Sequence, residues 1–133
     1  MSKIIIYTPA YNAEKTLRRA VDSILNQTHK EFIYYLLDNA STDGTYEIIK
    51  EYAKNDKRII PLHNEINWVG NGIYEVLKNY GKDCYFCALD ADDEYTPNFL
   101  EKMLFFIKNE NLDIAACGSD FVDMQTNKHL GMR

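Results

Sequence analysis

No stretch of the sequence approaches the roughly 18 apolar residues in a row that a membrane-spanning helix needs. Basic runs are missing too. The 15 Lys and Arg residues are scattered and the formal net charge is -5, which excludes a non-specific binder of nucleic acid. Cysteine is scarce, and its three copies make no disulfide framework. Cys84 and Cys87 stand three apart in an apolar run, so they fall on opposite faces of a strand and suit neither zinc nor thiol redox chemistry. All three, Cys117 included, are expected as small core residues. His29, His63 and His129 are isolated, without metal-ligand spacing. No G-x-G-x-x-G follows the first apolar run, no G-x-x-x-x-G-K-[ST] occurs anywhere, and the G-x-S-x-G of serine hydrolases is missing. An EF-hand loop starting at Asp90 fails at its sixth position, where Tyr95 stands in place of glycine. The N-terminal run Ile4-Ile5-Ile6 is too short for a signal peptide, and a cytoplasmic chain is expected.

What is present is an ordinary globular composition: 133 residues, 46% hydrophobic and 26% charged, enough for one domain with one core. Strands and helices alternate in the residue pattern. Lys3 to Thr8 reads as a strand ended by Pro9, and Asn12 as the cap of a helix running to about Asn26 through Leu17, Val21, Ile24 and Leu25. Phe32 to Leu37 is a second strand. Ser41 or Thr42 caps a helix with Thr45, Ile48, Ile49, Tyr52 and Ala53 inward. Arg58 to Leu62 is a third strand, followed by a polar connection from His63 to Gly72. A helix over about Ile73 to Tyr80 leads through Gly81 into a buried strand, Tyr85 to Leu89. Thr96-Pro97 opens a fourth helix with Leu100, Met103, Leu104 and Ile107 inward. Leu112 to Cys117 reads as a further strand and Phe121-Val122 as a last short one. This alternation predicts an α/β fold: a mostly parallel sheet with helices on both faces.

In such sheets ligands bind outside the carboxyl ends of the strands. Those ends carry Thr8-Pro9-Ala10-Tyr11, Asp38-Asn39-Ala40-Ser41 and Asp90-Ala91-Asp92-Asp93, so three polar clusters fall on one edge. Asp90 and Asp92, two apart at a strand end, project to one side by alternation and can hold one hard cation bridging nucleotide phosphates. Taken alone, the same acids read as an acidic turn before a helix. Asp38 can accept a hydrogen bond from a ribose or a base N–H, with Thr8 beside it, and Tyr11 can stack on a base. Tyr11 can equally be a core aromatic in a chain with ten tyrosines. Asp43 reads as a first-turn helix acid.

Four segments carry a resemblance: Ile4-Ile5-Ile6-Tyr7-Thr8-Pro9-Ala10-Tyr11-Asn12, Ala20-Val21-Asp22-Ser23-Ile24-Leu25-Asn26-Gln27-Thr28, Leu37-Asp38-Asn39-Ala40-Ser41-Thr42-Asp43-Gly44-Thr45 and Leu89-Asp90-Ala91-Asp92-Asp93. In order and spacing the chain resembles the family 2 glycosyltransferases from about Lys3 to Ile107. The resemblance implies a Rossmann-like GT-A fold and transfer of a sugar from a nucleotide donor, commonly a UDP-sugar, with Mn²⁺ or Mg²⁺. It places Thr8, Pro9, Tyr11 and Asp38 around the nucleoside, Asp90 near the ribose and diphosphate, and Asp92 on the metal as part of a D-x-D motif. Where many members have Asp-Asp, this chain has Asp38-Asn39, so Asn39 keeps hydrogen-bonding capacity at the donor site and loses a charge. The segment Asn67-Trp68-Val69-Gly70-Asn71-Gly72 lacks the Arg that many members carry there, which leaves more of the phosphate charge to the metal.

The expectation is thus one nucleotide-sugar-binding domain over residues 1–133, truncated at its C-terminus, of an inverting, metal-dependent transferase. Its acceptor is a saccharide or lipid-linked hydroxyl in polysaccharide biosynthesis, and the general base lies beyond the chain end, since Asp113, Asp120 and Asp123 match no motif for it. A cytoplasmic place, peripheral to the inner membrane for a full-length protein, goes with this reading. The competing expectation is a nucleotide-sugar-binding or interaction module without turnover.

Overall fold

The computed structural model describes residues 3–68, 70–80 and 84–132, which fall into two compact units, Met1–Glu101 and Lys102–Arg133. In the first, β1 (Lys3–Ala10), β2 (Phe32–Asn39), β3 (Ile59–Asn64) and β4 (Cys84–Ala88) form a parallel sheet in the order β3-β2-β1-β4. Helices α1 (Leu17–Leu25), α2 (Thr45–Asn55) and α3 (Asn71–Leu77) make the crossovers, and α4 (Phe99–Glu110) follows the sheet. This is the mostly parallel α/β architecture that the alternating pattern predicts.

The central strand explains the unbroken apolar run at the N-terminus. Ile4 to Thr8 are all buried because β1 has strands on both sides and helices on both faces. Ile5, Tyr7, Tyr35 and Leu37 share one face, where Val76 of α3 packs on them. Alternation turns Ile6, Tyr34 and Leu36 to the other face. Right-handed crossovers place α1 and α2 there, and the reversal of direction between β3 and β4 places α3 opposite. Each large side chain fully buried in this way contributes about 1.5–3 kcal/mol. At Gly72 a Cβ would stand 2.4 Å from Leu37 Cδ2 and 2.5 Å from the Tyr7 hydroxyl, so only glycine lets α3 start this close to the sheet.

Several local expectations are corrected. β1 does not stop at Thr8 but continues through Pro9 to Ala10. Proline fits because β4 pairs with β1 only as far as Tyr7, so on that side Pro9 has no ladder bond to give. Asn12 caps no helix: it has φ 48°, and α1 begins only at Leu17. Ser41 and Thr42 do not cap α2 either, because Ser41 Oγ accepts from the Asn12 backbone N–H at 3.0 Å and Thr42 donates to Asn12 Oδ1. Strand β4 is half-buried and not fully covered, since it is the edge of the sheet. The turn expected at Gly81 lies outside the described residues.

In the second unit, Lys102 to Glu110 completes α4, and β5 (Asp120–Val122) pairs antiparallel with β6 (His129–Met132). The short strand expected at Phe121-Val122 is therefore present, and β6 is an additional strand paired with it. Leu112 to Cys117 is not a strand. Ile114 is 84% exposed and no neighbouring strand among the described residues takes up the backbone N–H and C=O groups, which an apolar run needs in order to be extended in a sheet. Cys117 is exposed and not a core residue, while Cys84 and Cys87 are half-buried. Among the described residues, no helix is long and apolar enough to cross a membrane.

Candidate functional site

Strand register decides which residues meet. Ala10 lies beside Asp38, Asp38 beside His63, and Asn39 beside Asn64, while Tyr7 aligns with Ala88. The segments that follow β1, β2, β3 and β4 therefore all leave from the same edge of the first unit. The sequence turns to opposite sides of β1 when it goes to β2 and, later, to β4. In open parallel sheets that switch is where ligands bind.

At the end of β1, Thr8 is completely buried and its hydroxyl shares a hydrogen bond with the Tyr34 hydroxyl at 2.9 Å. Its side chain is thus hydrogen-bonded within the interior, directly behind Pro9 and Tyr11. Pro9 is half-buried, and Tyr11 is 50% exposed, which rules out the core reading of that ring.

At the end of β2, Asp38 is also fully buried. Its Oδ2 lies 2.8 Å from His63 Nδ1 on β3, and its Oδ1 accepts from the Ser41 backbone N–H at 3.3 Å. The His63 ring in turn stacks on Tyr46 of α2, with centroids 4.5 Å apart. Asn39, 4% exposed, donates through Nδ2 to Asn67 Oδ1 and accepts at Oδ1 from Asn64 Nδ2 and the Trp68 N–H. It anchors the connection after β3. Metal-ligand spacing does not single out His63 in the sequence. The signal was its place at the end of β3, level with Asp38.

Two of the motifs turn out to be a latch between the segments after β1 and β2. Ala13 N–H donates to Thr45 Oγ1 at 2.8 Å, Glu14 N–H to Asp43 Oδ2 at 3.2 Å, and Gly44 N–H to Glu14 Oε2 at 2.7 Å. Asp43 also accepts from Thr45 N–H and Oγ1. Burial works to raise the Asp43 carboxyl, but these hydrogen bonds outweigh it and hold the group below the usual carboxylate range.

The acidic segment is a turn and not the strand end expected. β4 stops at Ala88, and Asp93 N–H donates to the Asp90 carbonyl at 3.1 Å, so strand alternation does not set the directions of Asp90 and Asp92. Both are exposed, while Leu89 before them and Ala91 between them are buried and pin the turn. Burial, with the charges of Asp92 and Asp90, pushes the Asp93 carboxyl upward. The turn is held from below by α1. Tyr95 N–H donates to Ser23 Oγ at 3.2 Å and the Tyr95 hydroxyl to the Ala88 carbonyl at 2.7 Å. Fully buried Gln27 donates to the Thr96 carbonyl at 2.7 Å and accepts from Leu100 N–H at 3.0 Å. Arg19 Nε on α1 lies 3.3 Å from Glu94 and brings a cation near the turn, from a residue 75 positions away in sequence.

Among the described residues, no cluster of three or more His, Cys, Asp or Glu side chains could hold a metal ion alone. The turn instead offers exposed carboxylate oxygens only. Such a donor set fits a hard divalent cation that completes its shell with phosphate oxygens and water.

The profile described as "Glycosyl transferase family 2" matches residues 5–130. A glycosyltransferase of Methanocaldococcus jannaschii is 35% identical over 127 residues, covering 93% of this chain and 44% of that protein. TuaG of Bacillus subtilis, a putative teichuronic acid biosynthesis glycosyltransferase, is 30% identical over 115 residues, covering 86% of this chain and 46% of TuaG. The chain thus spans less than half the length of either relative. Among solved structures, S. aureus TarS in complex with UDP has a TM-score of 0.71 at 25% identity, over 82% of this chain and 33% of that one. The Pyrobaculum calidifontis mannosyltransferase PcManGT, in complex with GDP-Man and Mn²⁺, has a TM-score of 0.69 at 16% identity, over 80% of this chain and 32% of that one. The match along nearly the whole sequence and the shared fold lead to one conclusion: the chain belongs to glycosyl transferase family 2.

Proposed function

We propose that the carboxyl edge of the sheet binds the donor of an inverting glycosyltransferase, a UDP-sugar with a divalent cation. The observation that carries this reading is the convergence of Tyr11, the Asp38–His63 pair, the Asn39-anchored connection and the Asp90–Asp93 turn on one edge, at the topology switch. The UDP bound to S. aureus TarS supports the choice of nucleotide. Both units belong to one donor-binding domain in this reading, since the family match runs through them.

Each group has a role that follows from its setting. Tyr11, exposed and carried by a segment latched to the one after β2, offers a ring face to the base. Pro9 lines the floor beside it, while buried Thr8 holds β1 in place through Tyr34. Asp90 faces the ribose and diphosphate, and Asp92 is the carboxylate that holds Mn²⁺ or Mg²⁺. A cation held there would supply positive charge to offset that of the departing diphosphate. An acceptor hydroxyl, of a saccharide or a lipid-linked sugar, attacks the anomeric carbon from the face opposite the diphosphate and loses its proton to a base. Teichuronic acid biosynthesis, the process named for TuaG, is of this class and supports polysaccharide assembly as the setting. A cytoplasmic position at the inner face of the membrane suits such a donor.

The test is calorimetric titration with UDP and UDP-sugars in Mn²⁺ and in chelator. Binding is expected to be strong with Mn²⁺ and weak without it, and Asp92→Asn removes the difference while the melting temperature holds, because the acid is exposed. Equal affinity in Mn²⁺ and in chelator would sink the metal-dependent reading.

A further inference from the structure

We propose that Trp68 is the platform on which a hexopyranose ring lies, its indole face meeting the C–H hydrogens of the sugar and so helping to decide which sugars the edge accepts. This rests on the reading of the carboxyl edge as a nucleotide-sugar site. It adds a contact for the sugar, where the groups named above serve the base, the diphosphate and the cation.

A single exposed aromatic means little by itself. What sets Trp68 apart is how it is held. It is 66% exposed, yet its backbone is fixed. Its N–H donates to Asn39 Oδ1 at 3.2 Å, and Asn39 Nδ2 donates to Oδ1 of the preceding residue, Asn67, at 2.8 Å. Asn39 is itself buried at the end of β2, in register with Asn64 at the end of β3. Beyond Trp68 the chain is fixed again at Gly72, which has no room for a Cβ against Leu37 and Tyr7. A pinned backbone thus carries an open ring at the carboxyl edge, on the connection that leaves β3 for the far side of β1.

The chemistry of this connection selects the ligand. From His63 to Gly72 there is no Lys or Arg, and Glu65 is the sole acid, so the segment brings no lysine or arginine to a diphosphate. It offers amides and an indole. A hexopyranose has a face of C–H groups bordered by hydroxyls. An indole turns its negative π face to such hydrogens and takes them out of water, while the hydroxyls at the rim stay free for polar partners. Transfer of a sugar brings a sugar ring to this edge, on the donor or on a saccharide acceptor, and both present such a face. Tyr11, on the segment after β1, is the ring already given to the base.

Trp68 is the sole tryptophan of the sequence, so tryptophan fluorescence, excited apart from the tyrosines, reports this contact alone. Quenching by acrylamide is measured in Mn²⁺ with UDP, then with UDP-glucose, UDP-galactose and UDP-N-acetylglucosamine, and last with cellobiose added to the UDP-loaded chain. A sugar is expected to shield the indole where UDP alone does not. Shielding by a UDP-sugar assigns the ring to the donor, and shielding by cellobiose on the UDP complex assigns it to the acceptor. In titrations, Trp68→Ala should lose about three- to tenfold in affinity for the sugar that shields and keep its UDP affinity, and Trp68→Phe should recover most of the loss. Shielding by UDP alone, no shielding by any of these sugars, or an equal loss of UDP and sugar affinity in Trp68→Ala each overturns the inference and leaves the donor-site reading standing. Binding of neither UDP nor any UDP-sugar overturns the donor-site reading and this inference with it.

Discussion

Asn39 donates its amide hydrogen to Asn67 Oδ1 at 2.8 Å, and this bond ties the end of β2 to the connection that follows β3. The same amide accepts from Asn64 Nδ2 at 2.9 Å and from the Trp68 N–H at 3.2 Å, so donor and acceptor ends are used at once. An aspartate could accept from Asn64 and Trp68 but has nothing to donate to Asn67. The residue that looked like a departure from the family pattern is therefore matched to its own neighbours. Asn39→Asp should cost about 1–3 kcal/mol of stability through the broken contact and the buried charge, and should weaken UDP binding as the connection loosens. Urea unfolding at neutral pH checks it, and an unchanged midpoint would show that the amide does not hold the connection.

Gln27 makes a second test of structure against ligand contact. Its Nε2 serves the Ser23 and Thr96 carbonyls, and its Oε1 serves the Leu100 N–H, all away from water. Gln27→Ala should lose about 2–4 kcal/mol, from the void and the orphaned groups together. Because Thr96 follows the acidic turn, Mn²⁺-dependent UDP binding should weaken as well. Denaturant curves and titration on the same variant read both effects.

For Tyr11 the expectation is the reverse. With half its surface exposed, Tyr11→Ala should leave the melting temperature within a degree or two. UDP affinity should fall by about tenfold, since stacking on a base is worth roughly 1–3 kcal/mol. A clear drop in melting temperature with donor affinity intact would return the ring to a packing role.

Asp56 provides a pH test far from the site. Arg58 hydrogen-bonds it at Nε and Nη2 and holds its carboxyl below the usual carboxylate range. A carboxyl lowered in the folded chain contributes stability that is complete above its unfolded value, about pH 4, and is lost as pH falls through the folded value. Arg58→Ala should therefore cost at most about 1 kcal/mol at pH 7, with the difference shrinking below about pH 4. Thermal melts at a series of pH values measure it, and a cost independent of pH would mean that Arg58 acts through its contact with the Phe32 ring instead.

The fold was legible because parallel strands buried on both faces leave unbroken apolar runs. Ile4 to Tyr7 and Phe32 to Leu37 could be little else. The edge holding the site was legible for a related reason: polar residues appear abruptly where such runs end. What the sequence hid is which polar side chains are tied up within the fold. Asn12, Asp43, Gln27 and Asn39 are polar and sit beside the site, yet each spends its hydrogen bonds on backbone or neighbouring side chains. Asp38 was identified as a site residue but not as one sheltered by His63, because the contact joins residues 25 apart and depends on the β2–β3 register. Leu112 to Cys117 failed for the opposite reason, since its composition suits a strand and no partner strand is present among the described residues.

The order of strands also sets a schedule for the nascent chain. β1 takes its first neighbour, β2, within some thirty residues, but its other neighbour begins only at Cys84, paired with Lys3. At ribosomal rates of about 5–20 residues per second, the roughly eighty residues in between take on the order of 4–16 s to emerge. Throughout that interval the side of Ile4-Ile5-Ile6 that β4 will cover is a sticky, unsatisfied edge. Substitutions that delay β4 or shorten its grip on β1 should therefore show first as lost soluble yield in cells, before any change in the properties of the molecules that do fold.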